Sequence, residues 1–413
     1  MSEWKEETLG ELSIRVSSGL TPLKSNKKFW ENPSIPWLKT DQLGEKYIFD
    51  TNTKISKEAL EQTSLRIYPE NTISIAMYGE GKTRGNISII KAPMTTNQAC
   101  CNIEIDPKLA DVEYVYYYLK TQYDSLRKLS SGVRKNLNSN DIKNYKIYMP
   151  ESVSVQKSII RILTSLDNKI NLNNQINQEL EAMAKTLYDY WFVQFDFPDQ
   201  NGKPYKSSGG KMVYHPELKR EIPEGWGVDS LWNIANFYNG LAMQKYRPDT
   251  NGDDYLPVIK IREMMNGFSK DTEKARLDIP TEAVVERGDI LFSWSATLEV
   301  IIWGKEKGAL NQHIFKVTSE TYPKSFIYFE LKSYLKVFKA IAELRKTTMG
   351  HITQDHLKQA KIVVPPIELI SKLGDKLQPI MLKQQILENQ NQELIQLRDL
   401  LLPMLMNGQV QVE

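Results

Sequence analysis

The sequence predicts an α+β protein of two tandem mixed domains, each followed by a long helix. Three observations predict it: an internal duplication, strand-like runs with glycine turns inside each copy, and unbroken heptad patterning after each copy. At 413 residues the chain can bury more than one core. With 25% charged and 41% hydrophobic residues, its composition is that of a globular protein and excludes extensive disorder. The formal charge of +2 leaves no global basic excess, so any surface for a polyanion has to be local.

The duplication repeats after about 220 residues, as internal repeats should, in a fixed order of anchors. Trp4 to Leu12 answers to Trp226 to Trp232, and Ile35-Pro36-Trp37-Leu38-Lys39 to Leu256-Pro257-Val258-Ile259-Lys260. Thr96-Asn97-Gln98 matches Leu310-Asn311-Gln312, and the aromatic helix from Tyr114 to Lys120 matches Phe326 to Lys332. Leu137 to Lys143, closing at Pro150, matches Ile352 to Lys358, closing at Pro365, and Asn177-Gln178-Glu179-Leu180 returns as Asn391-Gln392-Glu393-Leu394. Between anchors the copies diverge, so the scaffold is shared and the loops are not.

Within the copies, Thr72 to Met77 and Asp289 to Ser293 carry the β-branched and aromatic residues of strands. Gly79, Gly81 and Gly85 punctuate the first copy, and Gly288, Gly304 and Gly308 the second. The expected organisation is a first domain over 1–150, a central helix over 151–196, a linker over 197–222, a second domain over 223–366, a distal helix over 367–406 and a tail over 407–413.

The central helix has a coiled-coil seam, with lines through Ile159, Leu166, Asn173, Leu180, Leu187 and through Leu163, Ile170, Asn177, Ala184, Trp191. The distal helix repeats it through Leu373, Ile380, Leu387, Leu394, Leu401 and through Ile370, Leu377, Gln384, Asn391, Arg398, Leu405. Asn177 and Asn391 hold the same seam position, so they either pair or near-pair across the interface and fix its register, or are both solvated. Pro379 predicts a kink or a late start of the distal helix. A helix of this size spans on the order of 50 Å at about 1.5 Å per residue.

Four features together carry a specific resemblance: the tandem copies, the helix opening from Gln156-Lys157-Ser158-Ile159-Ile160 to Leu166-Asp167-Asn168-Lys169-Ile170, the segment from Leu187 to Phe197, and Glu221-Ile222-Pro223-Glu224-Gly225-Trp226. Over essentially its whole length the chain resembles a specificity subunit of a Type I restriction-modification enzyme. The resemblance implies two target recognition domains that each read one half of a split double-stranded DNA target. It also implies that the helices form an antiparallel coiled coil setting the unread gap. Two similar domains on antiparallel rods acquire pseudo-two-fold symmetry, which matches the two-fold axes of a duplex backbone. Two DNA methyltransferase subunits and the restriction (motor) subunits are the implied partners. Catalysis belongs to them: no cofactor is expected on this chain, and S-adenosylmethionine, ATP and Mg are used by the partners. A stand-alone DNA methyltransferase or nuclease with duplicated recognition domains is the alternative.

For DNA contact, the turn from Gly79 to Asn86 offers Lys82 and Arg84, which compete with the reading of a solvated hairpin tip. Its loose phosphate-loop pattern is rejected because a strand, not a helix, follows. Lys120, Arg127, Lys128, Arg134, Lys135, Lys143 and Lys146 form the clearest local basic patch, with Arg134, Lys135 and Asn136 following Ser130-Ser131-Gly132. Lys346, Thr347, Thr348 and His351 are their counterparts by position in the second copy, with Arg345 beside them. Asn97 and Asn311 recur in both copies, which favours a structural role, and Trp294 reads as packing more than as a base contact.

No catalytic constellation is found: the four histidines lack a metal-ligand pattern, and no Asn-Pro-Pro-aromatic motif of amino methylation occurs. The adjacent Cys100 and Cys101 suit neither an ordinary disulfide nor a thiol metal site. With a polar amino terminus and no apolar run of about eighteen residues, the expected setting is cytoplasmic, away from membranes.

Overall fold

The computed structural model describes residues 3–79, 83–129, 136–249, 254–344 and 351–410. The first domain runs through β1 (Trp4–Thr8), β2 (Ser13–Ser18), β3 (Ile35–Leu38), β4 (Tyr47–Ile48), β5 (Lys54–Ile55), α1 (Lys57–Gln62), β6 (Thr72–Ala76), β7 (Ile87–Ile90), β8 (Thr95–Thr96) and β9 (Cys100–Ile105). It closes with α2 (Val112–Thr121), α3 (Tyr123–Lys128), α4 (Ser139–Lys143) and β10 (Lys146–Pro150), before the 36-residue α5 (Val153–Tyr188).

After a hairpin of β11 (Met212–His215) and β12 (Arg220–Pro223), the second domain runs through β13 (Gly227–Ser230), α6 (Leu231–Ile234), β14 (Asn236–Asn239), β15 (Leu256–Ile259), α7 (Ile261–Asn266), β16 (Lys274–Ala275), β17 (Val284–Val285), β18 (Ile290–Ser293), β19 (Glu299–Ile302), β20 (Gly308–Leu310) and β21 (Ile314–Thr318). Then come α8 (Lys324–Leu344), α9 (Gln354–Gln359), β22 (Lys361–Val364) and the 40-residue α10 (Ile367–Met406).

The duplication reaches individual hydrogen bonds. The first domain has a sheet of order β2-β9-β6-β7-β4 beside β5-β3-β8, and the second has β14-β21-β18-β19 beside β16-β15-β20-β17. In each, the entering strand pairs with the exiting one, β1 with β10 and β13 with β22, both antiparallel. A short parallel pair recurs too, Trp37 and Leu38 against Thr95 and Thr96, then Val258 and Ile259 against Ala309 and Leu310. The turn after it repeats bond for bond: Asn97 N–H donates to Leu38 (2.9 Å) as Asn311 does to Ile259 (3.1 Å), and Cys100 N–H donates to Asn97 (3.1 Å) as Ile314 does to Asn311 (3.2 Å). The Asn97 side chain accepts from Ala99 N–H at 3.1 Å, and Asn311 is buried, which fits a turn-forming role.

Packing divides the chain into one unit of Met1–Ile170 with Leu394–Glu413 and another of Asn171–Glu393. Both long helices are therefore shared. In the first unit Leu405 and Met406 from the end of α10 enter the same buried cluster as Ile159 and Leu163 of α5 and the strands of the first domain. In the second, Ile370, Leu373, Leu377 and Ile380 of α10 join Ala184 and Tyr188 of α5 and the second domain. A fully buried aliphatic side chain contributes roughly 1.5–3 kcal/mol, so these helical faces are held by tertiary packing more than by helix propensity.

The segments that carried the resemblance pack on each other. α5 ends in a π-helical turn, Asp189–Val193, and Phe195 takes a left-handed φ of 66°. This bend stacks Phe197 on Trp226 at 5.0 Å between ring centres and sets Phe195 and Phe192 edge-on to it. In the first unit the repeat-equivalent Trp4 stacks instead on Tyr148 at 5.0 Å between ring centres, and its ring lies 2.9 Å from where a side chain at Gly408, just after α10, would begin.

α10 does not start late: it begins at Ile367 and continues through Pro379. The proline sacrifices one backbone hydrogen bond, while the buried Leu377 and Ile380 beside it anchor the helix to the core.

Two glycines unremarked in the sequence occupy equivalent positions. Gly19 N–H donates to Cys100 (3.2 Å) and Gly240 N–H to Ile314 (3.0 Å), each at the end of the strand after the domain entry. A Cβ at Gly19 would lie 2.2 Å from the Thr96 carbonyl oxygen, and one at Gly240 2.2 Å from that of Asn311. Backbone cannot rotate away, so Gly19→Ala and Gly240→Ala are each expected to cost about 1–3 kcal/mol in denaturant unfolding. Gly374→Ala, in α10 with its nearest neighbour at 3.6 Å, should instead raise stability by up to about 1 kcal/mol through helix propensity.

Candidate nucleic-acid interface and helical scaffold

In the first domain the β6–β7 connection meets the segment that follows α3. Leu137 N–H donates to the Met77 carbonyl at 3.1 Å. Arg127 donates from Nη1 to the Arg84 carbonyl (2.9 Å) and to the Tyr123 hydroxyl (2.8 Å), with its guanidinium 5.3 Å from the Tyr123 ring centre. Gly85, at φ 88°, turns the chain against this arginine. Arg84 and Asn136 are both half-buried at this junction. Lys82, Arg134 and Lys135 lie outside the described residues.

The second domain repeats the junction with a shorter turn between β18 and β19, where Ala296 has φ 56°. Ile352 N–H donates to the Trp294 carbonyl at 2.8 Å, and Ser295 forms a β-bridge with His351. Arg345, Lys346, Thr347 and Thr348 lie outside the described residues. Around His351 the structure gathers Trp294, His313 and Asn239: the indole N–H donates to Asn239 Oδ1 at 2.9 Å, and the ring lies 5.6 Å from His313 and 6.3 Å from His351. Sequence reading treated Trp294 alone and missed Asn239 and His313. The signal that finds them is their position one residue before Gly240 and two residues after Asn311, both repeat-equivalent anchors.

The basic patch of the first domain is not a uniform bank of cations. Arg127 is a strut of the hairpin, and Lys146 pairs with Glu6 at 2.7 Å, a carboxylate that raises the lysine's pKa. Lys120, Lys128 and Lys143 are exposed. Charge counting along the chain cannot separate a guanidinium spent on a carbonyl from one that faces solvent. Cys100 and Cys101 are buried in β9, where burial pushes both thiols up to about 12. Among the described residues no group of three His, Cys, Asp or Glu could hold a metal ion, and no helix is long and apolar enough to cross a membrane.

The scaffold residues fall along the facing sides of α5 and α10. Ile159, Leu373 and Ile380 are buried; Leu166, Leu180, Leu187, Leu394 and Leu401 are half-buried at the seam's edges. In the second unit the helices run antiparallel, with Asn173 facing Asn391 while Asn177 and Glu181 face Gln384. In the first unit Asp167 faces Arg398 (3.1 Å), and Ile159 lies in one cluster with Leu405.

Asn177 and Asn391 near-pair, about one helical turn out of step, rather than bonding to each other directly. The fully buried Asn173 donates from Nδ2 to Asn391 Oδ1 and to Gln390 Oε1, both at 2.9 Å, and Asn391 Nδ2 donates to Asn174 Oδ1 at 2.8 Å. Residues equivalent by repeat stand at equal height only at the midpoint of an antiparallel pair. Away from it their levels separate, and Asn391 meets the residue one turn before Asn177.

Each domain is also tied to the helices by polar groups from its aromatic helix. In the first unit Tyr117 donates to the Asp167 carboxylate, while Glu113 pairs with Lys46 (2.6 Å) and accepts from the Tyr47 hydroxyl (2.7 Å). In the second unit Tyr328 donates to Glu181 (2.6 Å) and Tyr188 donates to Glu330 (2.5 Å). Burial pushes the Glu330 carboxyl from an ordinary 4.5 up to about 7, against the lowering effect of Tyr188 and Arg220.

With this geometry in hand, the family described as the Type I restriction modification DNA specificity domain matches residues 1–182 and again residues 223–396. The chain belongs to this family. Among relatives of this specificity-domain protein, the Type I restriction enzyme MjaIX specificity subunit of Methanocaldococcus jannaschii is 28% identical, the alignment covering 100% of this chain and 94% of that one. The Type I restriction enzyme HindI specificity subunit of Haemophilus influenzae is 23% identical over 99% of this chain and 100% of that protein. The fold is similar to that of the crystal structure of a Type I restriction-modification system S subunit from M. genitalium, with a TM-score of 0.55 at 16% identity over 98% of this chain and 96% of that chain.

The scaffold of this specificity-domain protein generates two predictions. Asn391→Ala removes one of the two hydrogen bonds of the buried Asn173 amide and should cost about 1–3 kcal/mol in denaturant unfolding, whereas Asn173→Leu with Asn391→Leu should recover most of it. Between pH 4.5 and about 7 the folded state holds a proton on Glu330 that the unfolded state has released. Stability should therefore fall as pH rises through that window, by on the order of 1–3 kcal/mol, and Glu330→Gln should flatten the slope in pH-dependent unfolding.

Proposed function

We propose that this chain is the sequence-specific DNA-binding subunit of a Type I restriction-modification complex. Each domain, as a target recognition domain, reads one half of a two-part duplex target. The α5–α10 pair sets the unread gap, and the chain directs methyltransferase and restriction subunits to the site. The observation that carries this reading is a framework duplicated to the hydrogen bond whose two copies diverge where the hairpin turn meets the segment after the aromatic helices. Shared framework with divergent side chains suits two readers docking in the same way on different sequences.

Candidate contacts to DNA are Lys82, Arg84, Arg134, Lys135 and Asn136 in the first domain and Arg345, Lys346, Thr347 and His351 in the second. The chain's net charge of +2 makes such local cations the source of phosphate affinity. S-adenosylmethionine, ATP and Mg are used by the partner subunits, two methyltransferase subunits among them, and the complex works in the cytoplasm.

Co-expression with a methyltransferase subunit, followed by mapping of methylated bases across a genome, should return a single motif of two half-sites separated by a fixed gap. Adding about one helical turn within residues 171–181 should lengthen the gap and leave both half-sites unchanged. A contiguous motif, or half-sites that change with helix length, would overturn this reading.

A further inference from the structure

The shared framework fixes which positions of the two domains are equivalent at the junction of hairpin turn and post-helix segment. Gly19 bonds Cys100 as Gly240 bonds Ile314; Met77 N–H donates to Ala99 (2.8 Å) as Trp294 N–H does to His313 (3.3 Å); Leu137 N–H donates to Met77 as Ile352 N–H does to Trp294. Four positions follow. They carry Ser18, Met77, Ala99 and Asn136 in the first domain and Asn239, Trp294, His313 and His351 in the second.

The backbone is common and the chemistry is not. In the first domain Met77 and Ala99 are 3% and 9% exposed, parts of the core surface. In the second, Asn239, His313 and His351 are exposed around a half-buried Trp294. The indole is fixed: its N–H is spent on Asn239 Oδ1 at 2.9 Å, and its ring leans on Phe315 at 5.9 Å and on the two imidazoles. That bond also sets the Asn239 amide, turning Oδ1 to the indole and leaving Nδ2 as the donor end. Ordering two exposed imidazoles and an exposed amide around the half-buried indole has an entropy cost that core packing does not offset, since none of these three side chains is buried.

Resting on the DNA-reading function proposed above, we infer that Asn239, Trp294, His313 and His351 form the base-reading set of the second domain. We also infer that the four equivalent positions are where the two half-sites acquire different sequences. Amide and imidazole donors suit the acceptor atoms on major-groove base edges, and the indole face suits a thymine methyl. The first domain, with a hydroxyl and an amide around an apolar floor at the same positions, reads a different edge pattern from the same stance.

The test uses the full chain co-expressed with its methyltransferase subunit, in Asn239→Ser, His313→Ala and His351→Asn variants that import the first-domain residue at exposed positions. Trp294→Phe serves as a fourth variant that keeps a ring and releases Asn239. Two readouts are taken: methylated motifs recovered from a randomised plasmid library, and competition binding of the purified complex between its native target and targets altered in one half-site. Thermal melting and co-purification with the methyltransferase subunit confirm assembly. The expected result is a loss of about tenfold or more in discrimination at one or more positions of one half-site, with the other half-site and the gap unchanged. If all three exposed-residue variants keep their half-site preference within about twofold of the parent, or if both half-sites degrade together, the inference is overturned. A parent complex that shows no split target would instead overturn the proposed function, so the two failures are distinct.

Discussion

Antiparallel pairing of α5 with α10 is the constraint on which the rest of the structure depends. Neither domain closes its core with its own half of the chain: the first takes Leu405 and Met406 from the end of α10, and the second takes Ala184 and Tyr188 from the end of α5. The helices are thus core elements of both units as well as connectors. Apolar burial supplies the energy, while direction and register come from the few polar groups on the seam. Asn173 finds both its partners only when Asn391 and Gln390 stand opposite it, and a slipped register would leave a buried amide without them.

The ionic ties from the domains work on the same principle at a different place. Asp167 accepts from Tyr117 of the first domain and from Arg398 of α10, so one carboxylate on α5 fixes the domain's aromatic helix and the partner helix together. In the second unit Glu181 does this with Tyr328 and Gln384. Buried charge is weak evidence for stability, because desolvation offsets most of the attraction. Its value here is geometric: within each unit the domain's aromatic helix is oriented against the neighbouring stretches of α5 and α10.

Much of this was legible in the sequence, for definable reasons. Repeats and heptads are periodic, so the duplication and both helices were visible in residue spacing alone. The aromatic run from Leu187 to Phe197 and the Glu221 to Trp226 segment stood out without a visible purpose, and the Phe197–Trp226 stack supplies one. Other features were opaque because they depend on contacts between residues distant in sequence. The partner of Asn391 follows from antiparallel register, which repeat equivalence misassigns. Arg127 counted as a surface cation until its bond to the Arg84 carbonyl was seen. Gly19 and Gly240 lack the positive φ that marks a turn glycine; they are required by a neighbouring backbone that local sequence does not show. Asn239 and His313 were hidden in the divergent stretches, where only alignment of the two copies through structure gives them a common address.

The contribution of the carboxyl-terminal stretch of α10 to the first unit bears on how the molecule is made. On a ribosome the first 150 residues emerge long before Leu405, so the surface that Leu405 and Met406 cover stays open until the end of α10 has been made. The nascent first domain waits with an apolar face uncovered, and its completion is a late, long-range closure with the slow kinetics and aggregation exposure that distant contacts bring. A chain that stops before Leu405 would be left in that state, which makes the last turn of α10 a checkpoint on completion of the helix.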